Sequence, residues 1–177
     1  MEENVSLRDK LISAGIEEIA THGIAGLSLR RVAAACGASC AAPYRHFASR
    51  EDFLSAIVHY INGQWGLLAD KIILLYQGDR KAQIIEVCMA FIRFLFANDN
   101  YRSVLSASGE HLGADKLPPL VRSYATEGGM SEAEGAALLY TLRALVYGTV
   151  AMLENGELSG TTETYDMVRA ALVREIR

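Results

Sequence analysis

Between Ser28 and Arg50 the chain carries four arginines, Arg30, Arg31, Arg45 and Arg50, and no aspartate or glutamate, although its 177 residues carry a formal net charge of -4. A local cationic face on an acidic protein is a surface for anions. The arginines flank a segment, Ser39 to His46, whose outward residues, Arg45 aside, are small or hydrogen-bonding instead of charged. That is the pattern of a phosphate-gripping rim around a surface that faces base edges. A solvated arginine cluster with no ligand is the competing reading.

The elements that must position these residues are two short helices joined by a tight turn at Gly37, then a loop and the start of a long helix. This is the helix-turn-helix arrangement. Ser28 is placed to cap the second helix of the chain, with Leu29, Val32, Ala33 and Cys36 inward and its arginines outward. Ser39 is the expected N-cap of the third helix. A proline deep inside a helix costs about 3 kcal/mol, so Pro43 requires that helix to begin close to Ser39. Phe47 is its inward anchor. Cys40, Ala41, Ala42, Tyr44 and Arg45 are then the outward set, the surface that a recognition helix lays in the major groove of duplex DNA.

The segments LSLRRVA, GAS, APYRHF and SREDFL, at these spacings, resemble the amino-terminal domain of TetR-family transcriptional regulators. The resemblance covers roughly residues 7 to 55. It implies an all-helical protein with a three-helix DNA-binding domain at residues 1–50 and an effector-binding and dimerisation domain at residues 51–177. It further implies phosphate contacts from Tyr44 and His46, a role that Ser28, Ser39 and Arg50 also fit, with Arg31 on the same rim. Arg30 matches a position often used for a base, and arginine bonds guanine through two donors. Cys40, Ala41, Ala42 and Arg45 fall where regulators of different operators differ, and the alanine pair suits thymine methyl groups.

Beyond this region the apolar spacing continues to be helical. Ser6 with Asp9 opens a first helix that runs to His22 and Gly23. Ser49 with Asp52 opens a long one reaching about Tyr76, shared by both domains. Asp79 caps a helix that is apolar on nearly every side from Ile84 to Phe96, expected to be central and buried. Asn98 to Gly113 is polar and broken. Pro118 and Pro119 allow a short helix ending at Gly128 and Gly129. Ser131 with Glu134 forms a capping box for a helix to about Glu154, and a last helix follows Gly160.

In the family the last two helices form a four-helix dimer interface. Ala137, Ala144, Gly148 and Ala151, a seam of small residues, and Tyr165, Val168, Leu172 and Ile176 are the candidates for it here. The segment from Arg143 to Leu158 resembles the signature of one TetR subgroup in which Trp, His and Gly stand at the places of Arg143, Tyr147 and Gly148; only the glycine is shared. The resemblance also implies an effector pocket among the middle helices. Trp65, Met89, Phe91, Phe94, Tyr101, Tyr124, Tyr147 and Met152 are candidates to line it, with ordinary core as the alternative for each.

Other classes are poorly supported. Three cysteines with no export signal argue against a disulfide framework, and no cysteine or histidine spacing suggests a metal. No cofactor is expected. An enzyme would need a nucleophile with a base, or paired carboxylates, yet His22 and His46 fall in the DNA-binding part, His59 lies on the long helix, and His111 stands beside Glu110 alone. No apolar run reaches about 18 residues, and the best candidate, Ile84 to Leu95, is interrupted by Glu86 and Arg93, so a cytoplasmic location without membrane contact is expected. The sequence therefore points to a regulator that binds operator DNA as a homodimer, a repressor released by a small apolar or aromatic molecule. A constitutive or protein-controlled regulator of the same fold, with no pocket, is the alternative.

Overall fold

A computed structural model of the chain describes residues 5–98, 100, 101, 104 and 116–176. The described residues form α1 (Leu7–Gly26), α2 (Leu29–Ala35), α3 (Pro43–His46), α4 (Arg50–Leu75), α5 (Arg80–Ala97), α6 (Leu117–Glu127), α7 (Glu132–Glu154) and α8 (Thr162–Glu175), with no strand among them. Most of the stretch read as broken, Asn98 to Gly113, lies outside the described residues, and so do Glu110 and His111. By their packing the residues divide into two units, Met1–Gln64 with Asn98–Gly113, and Trp65–Ala97 with Ala114–Arg177. The boundary falls inside α4, a 26-residue helix about 39 Å long at 1.5 Å per residue.

The amino-terminal unit is held by a small core. Ser6 caps α1 by accepting from the Asp9 N–H at 3.2 Å and donating its hydroxyl to the Asp9 carboxylate at 2.6 Å. The helix then buries Leu11, Ile12, Ile16 and Ile19 and loses helical geometry at Gly23. Against this stripe lie Leu29, Val32 and Ala33 of α2, Phe47, and Phe53, Ile57 and Ile61 of α4. Phe47 and Phe53 meet edge to face with ring centroids 4.8 Å apart. Gly15 permits this packing, because a Cβ there would lie 2.4 Å from the Phe53 ring. Each fully buried side chain of this size contributes about 1.5–3 kcal/mol. At the entry of α4, Ser49 Oγ accepts from the Asp52 N–H at 3.1 Å while Asp52 accepts from the Ala48 N–H at 2.8 Å.

In the carboxy-terminal unit α5 packs on α6, α7 and α8 and buries Ile84, Ile85, Val87, Cys88, Met89, Ile92 and Leu95, the central position its composition predicts. Gln83, also buried, satisfies its amide by donating to the Ile73 carbonyl at 2.7 Å and accepting from Arg80 at 2.8 Å. Ser131 and Glu134 form the expected capping box on α7, and Thr161 caps α8. Arg169 of α8 grips Glu86 of α5 with both terminal nitrogens. By length and composition α7, at Glu132–Glu154, is apolar enough to cross a membrane, a property that buried core helices share. Leucine, valine and alanine carry that average, with Arg143 and several glycines and threonines breaking the run. In this fold α7 packs on α5, α6 and α8.

Candidate nucleic-acid interface

Ser28 caps α2, its hydroxyl accepting from the Arg31 N–H at 3.4 Å. The helix ends at Cys36, and Gly37, with φ 64°, makes the reversal that a residue with a Cβ resists. The next segment differs from expectation. Ser39 does not cap a helix side chain to backbone; α3 begins at Pro43 and is preceded by a turn in which the Ala42 N–H donates to the Ser39 carbonyl at 2.9 Å. The reason is covalent. Pro43 has no N–H to return to Ser39, so the four-residue bond of an α-helix is replaced by a three-residue one. The recognition element is therefore a tight turn followed by a single helical turn.

That winding rotates the outward set. Cys40, Ala41, Tyr44, Arg45 and His46 are exposed, with Tyr44 at 64% of its free area, but Ala42 and Pro43 are buried. Ala42 was expected outward and is instead covered, which removes it from direct base contact. Burial pushes the Cys36 thiol up from its ordinary range.

The arginines also separate. Arg30 and Arg45 make no guanidinium hydrogen bond or ion pair among the described residues, so both point out as the rim requires. Arg31 does not. Its Nε donates to Glu18 Oε1 at 2.7 Å and its Nη2 to the Gly26 carbonyl at 2.6 Å, so this candidate for the rim carries internal partners. Arg50 is likewise engaged, donating to the Ile24 and Ala25 carbonyls at the end of α1. These acceptors are neutral, so Arg50 keeps its positive charge while serving as a clamp. The hydrogen bond from Arg31, opposed by burial, holds the Glu18 carboxyl below its ordinary range. Glu18 was not anticipated, and no spacing signal marks it, because it lies 13 residues from its partner on another helix.

The carboxy-terminal candidates divide too. Trp65, Phe91, Phe94 and Tyr147 form one ring cluster, Trp65 to Phe91 at 4.9 Å, Trp65 to Phe94 at 5.7 Å and Phe91 to Tyr147 at 6.0 Å. Met89 is buried and Met152 exposed. Tyr101 belongs to the amino-terminal unit, where burial and Tyr60 raise its hydroxyl pKa. The carboxy-terminal unit has open clefts, of which two are lined wholly by described residues. One, of about 440 Å³, lies between α6 and the start of α7, and the other, of about 570 Å³, includes Arg80, Lys81, Tyr124 and Leu138. Of the candidate residues only Tyr124 lines either one.

On α7 a face of Ala137, Tyr140, Ala144, Tyr147 and Ala151 is exposed, with Tyr140 at 75%. Gly148 is half-buried, and Tyr165 lies under the Arg93 guanidinium, 4.9 Å from its ring centre. Val168, Leu172 and Ile176 were read as interface residues but are buried in their own subunit. An apolar stripe does not distinguish an internal partner from an external one, and here α5 and α7 already cover it.

The helical architecture carries a helix-turn-helix of the kind found in DNA-binding transcriptional regulators. Residues 11–57 match the family model described as bacterial regulatory proteins, tetR family. Those residues are therefore similar to the amino-terminal domain of that family. No curated protein sequence matches it. Among solved structures it is similar to a TetR family transcription regulator from Marinobacter aquaeolei VT8, with TM-score 0.74 and 18% identity over 96% of this chain and 94% of that one. It is also similar to the TetR family transcriptional regulator PfmR from Thermus thermophilus, with TM-score 0.70 and 17% identity over 98% and 97% of the two chains. A third similar structure is the transcriptional regulator FadR from Bacillus subtilis in complex with stearoyl-CoA, with TM-score 0.68 and 16% identity over 95% and 98%. At these identities the likeness is one of fold.

Proposed function

We propose that the protein is a dimeric repressor that binds a palindromic operator through α2 and α3 and is released by a small apolar or aromatic effector. Residues 1–50 carry the DNA contacts in this reading, and residues 51–177 carry the effector and the dimer. The observation that supports it most is the placement of Arg30 and Arg45, unpaired among the described residues, beside exposed Tyr44 on a TetR-type helix-turn-helix. Two such surfaces read both halves of a palindrome when they sit about 34–36 Å apart, which requires a dimer.

The exposed face of α7 is the proposed dimer contact, since small residues alternating with tyrosines let a second helix approach closely while burying two rings. Arginine in place of Ala144 is expected to convert a sedimenting dimer into a folded monomer and to abolish preference for palindromic over half-site DNA. An A144R protein that stays dimeric with unchanged operator affinity would place the contact elsewhere.

The effector is proposed to enter beside the Trp65, Phe91, Phe94 and Tyr147 cluster and to act by shifting α4, which runs from the DNA-binding unit into the other. FadR is described with stearoyl-CoA, so long acyl chains belong in the first screen beside small aromatic compounds. Linkage makes the release mechanism testable, because a ligand that weakens DNA binding must itself bind the DNA complex less tightly by the same factor. A coupling of roughly 5- to 150-fold is the usual range, about 1–3 kcal/mol. Equal affinities with and without saturating operator, for every compound that binds, would favour a constitutive or partner-controlled regulator.

A further inference from the structure

The arginines of the amino-terminal unit differ in whether their charge is cancelled. Among the described residues, Arg30 and Arg45 are unpaired and Arg50 donates to the neutral Ile24 and Ala25 carbonyls. Of these four arginines Arg31 is the one that forms an ion pair with a carboxylate. Glu18 Oε1 accepts from Arg31 Nε at 2.7 Å and from the Ser28 backbone N–H at 3.2 Å, and it forms a close ion pair with Arg31 Nη2. The Glu18 side chain is 11% exposed and that of Arg31 52%, so the carboxylate is shielded while the guanidinium it neutralises faces outward.

We infer that Glu18 is an internal competitor for DNA phosphate: it occupies the Arg31 guanidinium and the Ser28 amide, two donors at the start of α2 that a duplex phosphate would otherwise take. The inference rests on the DNA-binding reading above. Exchange of partners is unfavourable because Glu18 is fixed to α1, and losing Arg31 would leave a shielded carboxylate with only the Ser28 amide and, 3.8 Å from its other oxygen, the exposed His22 ring. A phosphate oxygen offers Arg31 the same planar acceptor geometry but brings no compensation for Glu18. The Arg31 charge is therefore withheld from DNA, and affinity is set below what four arginines would provide.

The test is fluorescence anisotropy of the full chain on a random-sequence duplex and on a duplex selected by the protein, from about 50 to 200 mM salt. Three proteins are compared: native, Glu18→Gln and Glu18→Gln with Arg31→Gln. Freeing Arg31 in E18Q is expected to steepen the dependence of log K on log salt by about 0.9 per protomer, an additional loss of about 3.5-fold over that range, equally on both duplexes. The double variant, whose pair is neutral as the native pair is in sum, is expected to return to the native slope. An E18Q slope that is unchanged or shallower than native overturns the inference, as does a double variant shallower than native by about 0.9 per protomer, since Arg31 would then already hold a phosphate. If circular dichroism shows E18Q unfolded, the double variant decides alone. Native protein that binds neither duplex at about 50 mM salt would instead overturn the DNA-binding reading itself, a distinct result.

Discussion

Alanine at Phe53 is expected to cost about 3–5 kcal/mol, enough to unfold the amino-terminal unit of a marginally stable protein. Phe53 is fully buried, stacks edge to face on Phe47 at 4.8 Å and presses against Gly15 on α1. It thus joins three of the elements that orient the recognition turn. Phe47 would lose the ring that fixes it, and with it the anchor for Tyr44, Arg45 and His46. Urea denaturation followed by circular dichroism measures the loss, and hydrogen exchange locates it. Exchange is expected to rise across α1 to α3 while the buried residues of α5 stay protected. A cost below about 1 kcal/mol would mean that the site collapses around the missing ring and that Phe53 is not the centre of this core.

Arg30 replaced by alanine is expected to weaken operator binding by about 1–3 kcal/mol per half-site and to relax the preference at one base position. Arg30 is exposed on α2 with no partner among the described residues, so its removal disturbs no core contact. This separates it from Arg31 and Arg50, whose loss would also release Glu18 or the carbonyls at the end of α1. Competition between the operator and single-base variants reads the effect. Equal losses on operator and random duplex would show that Arg30 holds a phosphate instead of a base.

Local signals in the sequence carried most of the fold. Ser6 with Asp9 and Ser131 with Glu134 mark helix starts because their hydrogen bonds close within one turn. The apolar circumference of the segment from Ile84 to Phe96 implied its burial, since such a helix has no face for water. The departures share a different cause. Arg50 reaches a carbonyl 26 residues away and Arg31 a carboxylate 13 residues away, and neither distance corresponds to a helical or strand period. Ala42 was misplaced because helical spacing was extended through Pro43, where the hydrogen-bond pattern changes from four residues to three. Val168, Leu172 and Ile176 were assigned outward from a stripe that packs inward. Tyr140, exposed beside Ala144, carries the opposite lesson, since the outward face of α7 is displaced from the small-residue seam by part of a turn.

The central claim is that α2 and α3 of two subunits read duplex DNA, and selection from a random pool tests it with no operator sequence assumed. Native protein is incubated with duplexes randomised over about three helical turns, bound DNA is recovered through several rounds at physiological salt, and the enriched sequences are aligned. The expected product is an inverted repeat whose half-sites are centred about 10 base pairs apart, or a multiple of that. Arg30→Ala is expected to blur one position in each half without changing the spacing. A pool that remains random after selection, or one enriched for an asymmetric single site that Arg30→Ala leaves intact, would contradict the account.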